Sequence, residues 1–113
     1  LQALNLLNDP QLLEASRVLG SKLVEDQSLP LDKKIELAFR KIISRQPEDH
    51  EIEILLKGYQ EEYDRFTANP AEAKKFLRVG AYPQNDKLDP LECAAMMHVV
   101  SIIYNLDEAI SKS

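Results

Sequence analysis

Apolar residues recur every three or four positions along most of the 113-residue chain, which is the spacing of one face of an α-helix. The regularity is clearest at Ile35, Ala38, Phe39, Ile42 and Ile43. The alternation typical of a β-strand occurs only at 52–56, inside a longer helical period. The pattern predicts an all-α bundle of about five helices with short connections, forming a single domain over residues 1–113.

Prolines mark the predicted starts of three helices. Asp9-Pro10, Asn69-Pro70 and Asp89-Pro90 each place an N-cap residue before proline at the first helical position. Two of these N-cap residues are followed three positions later by a glutamate, Glu72 or Glu92, which predicts a capping box at each. The predicted helices cover about residues 10–25, 31–45, 48–68, 70–79 and 90 to near the C-terminus, with a loop, AYPQNDKL, before the last one.

The spacing also predicts which side chains face the core. In the first helix the inner stripe is Leu12, Ala15, Leu19 and Leu23. In the third helix the predicted inward residues are Ile52, Leu55, Leu56, Tyr59, Tyr63 and Phe66, and the residues predicted to face water are Glu51, Glu61, Glu62 and Asp64.

The fifth helix has two apolar faces. One comprises Leu91, Ala95, Val99, Ile102, Leu106 and Ala109, and the other, nearly opposite, comprises Cys93, Met97, Val100 and Tyr104. A helix that is apolar on two sides is buried on both. Either this helix is central in the bundle, or its second face meets polypeptide that the fragment lacks.

The opening segment LQALNLLN is rich in leucine, which is unusual for a free terminus. It is interpreted as the tail of a helix docked on this core. Together with the second face of the fifth helix it forms a predicted interaction surface. The residues of that surface are Leu4, Leu7, Cys93, Met97, Val100 and Tyr104.

Charge and composition narrow the possible partners. The net charge is −5 and the 14 basic residues are spread along the chain, which argues against nucleic-acid binding. No apolar run approaches the roughly 20 residues that span a bilayer, so no membrane insertion is expected. The chain lacks a start methionine and a basic leader segment, and it is therefore interpreted as a fragment whose localisation signals lie upstream.

The stretch ECAAMMHVV concentrates side chains that bind metals in other proteins, namely Cys93, Met96, Met97 and His98. A step of 100° per residue places His98 about 140° around the helix from Cys93, so one ion cannot be bound by both. The CxxCH haem signature is absent, and HEIEI at His50 lacks the second histidine of a zinc protease motif. The sequence predicts no metal, no cofactor and no catalytic residue in this chain, and it assigns the sulfur side chains to packing.

A polar cluster near the C-terminus leaves an alternative open. Leu106 is predicted to point to the core, flanked by Asn105, Asp107 and Glu108. These residues, or the 80–88 loop, could form one wall of a site completed by upstream domains. Such a site is expected to be a cleft lined by groups whose pKa values are perturbed.

Four segments together resemble a known family: LQALNLLNDPQLLEAS, AFRKIISRQP, VGAYPQNDKLDPLECAA and NLDEAIS. They are similar to a C-terminal domain of unknown function first described in planctomycete proteins. The resemblance implies a helical fold and a longer, exported bacterial protein that often carries a cytochrome-c-like domain upstream.

The leading hypothesis is therefore a non-catalytic helical domain that packs against upstream domains of the same polypeptide or against a protein partner. The alternative is a part of an enzyme or redox assembly whose active site or haem is supplied by those upstream domains.

Overall fold

A computed structural model of the chain describes residues 10–78 and 87–112, with side chains as far as Asp107 in the second stretch. Over these ranges it contains five helices and no strand: α1 (Pro10–Glu25), α2 (Leu31–Ile43), α3 (Asp49–Ala68), α4 (Pro70–Phe76) and α5 (Pro90–Lys112). The predicted all-α bundle of about five helices is confirmed. The opening segment with Leu4 and Leu7, most of the 80–88 loop, and the side chains of Glu108 and Ala109 lie outside the described residues.

Two of the predicted helix ends differ from the structure, namely the ends of α2 and α4. The start of α3 depends on a contact that the sequence did not indicate. Helix α2 ends at Ile43 rather than near Arg45, because Ser44 adopts a left-handed conformation with φ 66° and ψ 29°. The Ser44 N–H donates to the carbonyl of Arg40 at 3.0 Å, which closes the last turn. Helix α4 ends at Phe76, earlier than predicted. The backbone N–H of Glu48 donates to Glu51 Oε1 at 2.8 Å, a bond that anchors the start of α3.

The two described proline caps behave differently. Asp89 Oδ1 accepts the N–H of Leu91 at 2.9 Å, as an N-cap does. Asn69 makes no side-chain cap bond, so the capping-box prediction is wrong at this position. The reason is that Asn69 also ends α3, where its N–H donates to the carbonyls of Arg65 and Phe66 and fixes its backbone at φ −144° and ψ 78°.

Because a left-handed backbone strains any residue with a Cβ, we expect Ser44→Gly to stabilise the chain by about 0.5–1 kcal/mol. Urea unfolding followed by circular dichroism would measure the change. Ser44→Ala is the matched control, because it removes the hydroxyl but keeps the Cβ, and it should leave the free energy of unfolding nearly unchanged. Equal stabilisation by both variants would contradict the role given to the backbone.

Helix α5 is the centre of the bundle and contacts each of the other four helices. Every residue from Cys93 to Met97 is buried, as are Val99, Val100 and Ile103. The first of the two alternatives for this helix is therefore correct: both of its apolar faces are covered by the chain's own helices. Leu106 is an exception, since it is 38% exposed although the sequence predicted it to face the core.

Helix α1 covers one side of α5 with a face that shares only Leu23 with the predicted stripe. Its buried residues are Ser16, Arg17, Gly20, Leu23 and Val24, whereas the predicted stripe residues Leu12, Ala15 and Leu19 are only half-buried. A Cβ added at Gly20 would lie 3.1 Å from Met97 N and 3.3 Å from Met97 Cα. The two backbones therefore cross closely, and the small residues face the crossing because larger side chains would hold the helices apart.

The remaining predicted core faces agree with the structure. Ile35, Ala38 and Phe39 of α2 are fully buried. Leu55, Tyr59 and Phe66 of α3 are buried, and the other predicted inward residues of α3 (Ile52, Leu56, Tyr63) pack against the same core. Among the described residues, no helix is both long enough and apolar enough to cross a bilayer.

Candidate functional site

The sulfur-rich stretch of α5 divides between two neighbouring helices. Cys93 lies beside Ser21 of α1, whereas His98 faces Glu62 of α3. Burial raises the pKa of the Cys93 thiol, an effect partly opposed by its hydrogen bond with Ser21. A thiol with a raised pKa stays protonated at neutral pH, and only the thiolate is a good nucleophile or metal ligand. In the described part of the chain, no three His, Cys, Asp or Glu side chains come together as a possible metal site.

The predicted interaction surface is corrected at three of its positions. Cys93 is 5% exposed, and Met97 and Val100 are fully buried, so they belong to the core of this chain. Helix α1 covers this side of α5, and a partner could reach these side chains only if α1 moved away. Tyr104 is half-buried, and Leu4 and Leu7 lie outside the described residues.

His98 and Glu62 form a half-buried polar contact between α5 and α3. His98 Nδ1 lies 3.9 Å from Glu62 Oε1, which is beyond hydrogen-bonding distance. The Glu62 carboxylate is bonded instead to Arg65, whose Nη2 and Nε lie 2.7 Å and 3.1 Å from Oε1. Glu62 was predicted to face water, but its side chain is only 17% exposed. Because Arg65 already holds this carboxylate, the contact is a packed polar cluster and lacks the histidine–carboxylate bond of a catalytic pair.

The pKa of His98 is lowered mainly by burial, with the Glu62 carboxylate opposing the change and Arg65 adding to it. Between the ordinary histidine pKa of about 6.5 and the lower folded value, the unfolded chain binds a proton that the folded chain does not. Stability should therefore fall as the pH falls from 7.5 to 5.5. We expect His98→Gln to flatten this dependence of the unfolding midpoint.

His50→Gln is the matched control for this pH prediction. The His50 side chain is 67% exposed, near the start of α3, so its loss should leave the pH dependence of the wild-type chain in place. If instead His98→Gln retains the slope and His50→Gln removes it, the assignment to His98 is wrong.

The polar cluster at the C-terminal end of α5 does not have the predicted arrangement. Asn105 and Asp107 are half-buried while Leu106 between them is more exposed than either, which reverses the predicted order. Neither polar residue lines the concavity at the C-terminal end of α2, which is described next. The structure therefore does not bring these residues together with a described cleft.

A concavity of about 620 Å³, open to solvent, lies at the C-terminal end of α2. Its lining residues come from a single stretch of ten: Leu37, Arg40, Lys41, Ser44, Arg45 and Gln46. Three of the six are cationic, and none of these described lining residues is acidic. The chain as a whole carries a net charge of −5, so this basic surface stands out from the rest of the molecule.

Arg45 is held rigidly at the edge of this basic concavity. Its Nη1 and Nη2 donate to the two carboxylate oxygens of Glu51 at 2.9 Å and 2.8 Å, and its guanidinium lies 4.9 Å from the centre of the Phe39 ring. Arg45 is the main cause that lowers the pKa of Glu51 to about 2, followed by the backbone N–H of Glu48. The pair ties the end of α2 to the start of α3.

Arg40 and Lys41 are different, because both are exposed and neither forms a close ion pair with a described residue. Arg40 does act on Glu36 at longer range, since after Gln46 and Lys33 it helps to lower the pKa of that carboxyl. Arg40 and Lys41 were not predicted as a site, because the basic residues are spread along the chain as a whole. A local signal was present, because three cations lie within six positions: Arg40 and Lys41 between the apolar residues of the clearest stripe, and Arg45 just after it.

Residues 1–59 match the family described as PSD1, protein of unknown function (DUF1553). The chain belongs to this family. The match confirms the predicted domain of unknown function, and it covers α1, α2, the first half of α3 and the whole basic concavity of this DUF1553 chain. No curated protein and no solved structure matches the chain.

Proposed function

We propose that this DUF1553 chain is a helical interaction domain that binds a protein segment in the basic concavity. The single observation that supports this function is the concavity itself, in which two exposed cations, Arg40 and Lys41, lie beside the half-buried Leu37. A depression that combines charge with apolar surface can orient a partner through polar groups while burying some of its apolar atoms.

The surroundings of the concavity favour binding without rearrangement. Phe39 and Ile35 anchor α2 in the core with no exposed surface. The bidentate Arg45–Glu51 pair joins α2 to α3 across the turn between them. Because these contacts already hold the backbone that carries the lining residues, a partner would have to order only their side chains.

The wider context of the interaction follows from the resemblance of the sequence to domains of longer proteins. In this proposal the bound segment belongs to another part of the same polypeptide or to a protein partner, and the parent protein is exported. The resemblance supports both points, and the basic concavity supplies the surface on which such a segment would lie.

Selection from a displayed library of random peptides would test the proposed function. We expect enriched peptides that bind the wild-type chain and lose binding to a chain carrying Arg40→Gln and Lys41→Gln. Enriched peptides that bind both proteins equally, or no enrichment, would overturn the proposal, because binding would then not depend on the concavity.

A further inference from the structure

We propose that the occupant of the basic concavity is an acidic peptide segment whose carboxylates pair with Arg40 and Lys41 and whose neighbouring aliphatic side chain lies on Leu37. This inference rests on the proposed function and specifies the chemistry of the partner. It is supported by the charged groups in and around the concavity and by the partners that they already have.

The acidic groups nearest to these cations are already engaged. Glu36, one turn before Arg40, accepts a hydrogen bond from Gln46 Nε2 at 2.8 Å and is paired with Lys33 Nζ at 3.4 Å. Glu51 is held by both terminal nitrogens of Arg45. Arg40 acts on the Glu36 carboxyl only as a minor cause of its lowered pKa, after Gln46 and Lys33. Neither Arg40 nor Lys41 forms a close ion pair in the described part of the chain, so both can still pair with carboxylates from outside.

The lining favours a carboxylate peptide over a phosphate or a nucleic acid. The concavity lies at the C-terminal end of α2, where the helix dipole contributes roughly half a negative charge. This field opposes a compact dianion more strongly than separate monovalent carboxylates. None of the described lining residues is aromatic, so bases would find no stacking partner there, and the net charge of −5 repels polyanions at long range.

Arg40 and Lys41 also suit two separate carboxylates better than one. They are adjacent on the helix and therefore point about 100° apart. Arg40 can bind one carboxylate with two parallel N–H donors, whereas Lys41 acts as a point charge. Leu37 lies one turn before Lys41 and provides the apolar surface for a side chain between the two acids.

The test is a titration of the ¹⁵N-labelled chain with the peptide Ac-EELEE-NH2, followed by NMR, with Ac-QQLQQ-NH2 as the uncharged counterpart. We expect amide shifts concentrated at residues 37–46 for the acidic peptide and none for the glutamine peptide. The Arg40→Gln, Lys41→Gln double variant should weaken binding at least roughly tenfold, because two charge-assisted contacts are lost.

Lys74→Gln with Lys75→Gln is the matched control. These adjacent lysines are exposed on α4 and outside the concavity, and their replacement removes the same two charges. Binding should change less than roughly twofold, since only the long-range field differs. Circular dichroism would verify that both double variants fold.

Three results would overturn the inference: no shifts at residues 37–46, equal weakening by the two double variants, or inorganic phosphate binding as tightly as the acidic peptide. Selected peptides that need Arg40 and Lys41 but carry no acidic residue would also overturn it, while leaving the proposed function intact. Self-association of the chain, measured by sedimentation, that blocks the peptide would assign the concavity to a second copy and likewise overturn it.

Discussion

Met97→Ala is expected to destabilise the chain by about 2–5 kcal/mol, which is the usual cost of removing a large apolar side chain from a closed core. Met97 is fully buried in the central helix, and the backbone of α1 at Gly20 lies directly against it. Neither helix can collapse into the cavity without disturbing their close crossing. Urea unfolding of the variant and the wild type would measure the difference in free energy.

Leu106→Ala on the same helix is the control for Met97→Ala. Leu106 is 38% exposed, so its truncation should cost less than about 1 kcal/mol. A change below about 0.5 kcal/mol at Met97 would mean that this face of α5 meets solvent or a partner. The interaction surface predicted from the sequence would then be correct, and the burial of Met97 between α5 and α1 would be wrong.

Gly20→Ala is expected to destabilise the chain by about 1–2 kcal/mol, although alanine favours a helix over glycine by roughly 0.8–1 kcal/mol. The new Cβ would lie 3.1 Å from Met97 N and 3.3 Å from Met97 Cα. Those atoms belong to the backbone of a buried helix, so no side-chain rotation relieves the contact and α1 must move away from α5. Thermal and urea unfolding would both detect the loss.

Gly58→Ala is the matched control, because it makes the same substitution in a helix where nothing lies within 4 Å of the new Cβ. Only the helix preference remains at Gly58, so we expect a stabilisation of about 0.5–1 kcal/mol. Opposite signs for the two variants would support the close α1–α5 crossing. Stabilisation by both would show that α1 and α5 are farther apart than described.

Helix starts were predictable where local chemistry decides them. The start of α1 at Pro10, the start of α5 at Pro90 and the cap at Asp89 follow from residues within one turn. The end of α2 was not predictable, because the left-handed residue after a helix is usually glycine and here it is Ser44. Asn69 failed as a side-chain cap because it serves two helices at once, which is a property of their connection.

The candidate site was harder to predict than the helices. Arg40, Lys41 and Arg45 are visible in the sequence as a local group of cations. Nothing in the sequence shows that Arg45 is paired with Glu51, whereas Arg40 and Lys41 form no close ion pair with a described residue. Cys93, Met97 and Val100 were predicted to belong to an interaction surface, but they are core residues. In both cases the outcome depends on which other helix lies opposite these residues. Sequence patterns over a few neighbouring positions do not show that.

Helix periodicity and capping depend on residues a few positions apart, so the helical class, the five helices of the described residues and most of their boundaries could be predicted from the sequence. Which helix faces meet could not, because it depends on residues that are far apart in the chain. The fold buries Ser16, Arg17 and Gly20 of α1 together with Leu23, leaves the rest of the predicted stripe half-buried, and exposes Leu106. Burial depends on how closely two backbones can approach, so a small residue at a crossing can be buried more completely than a leucine beside it.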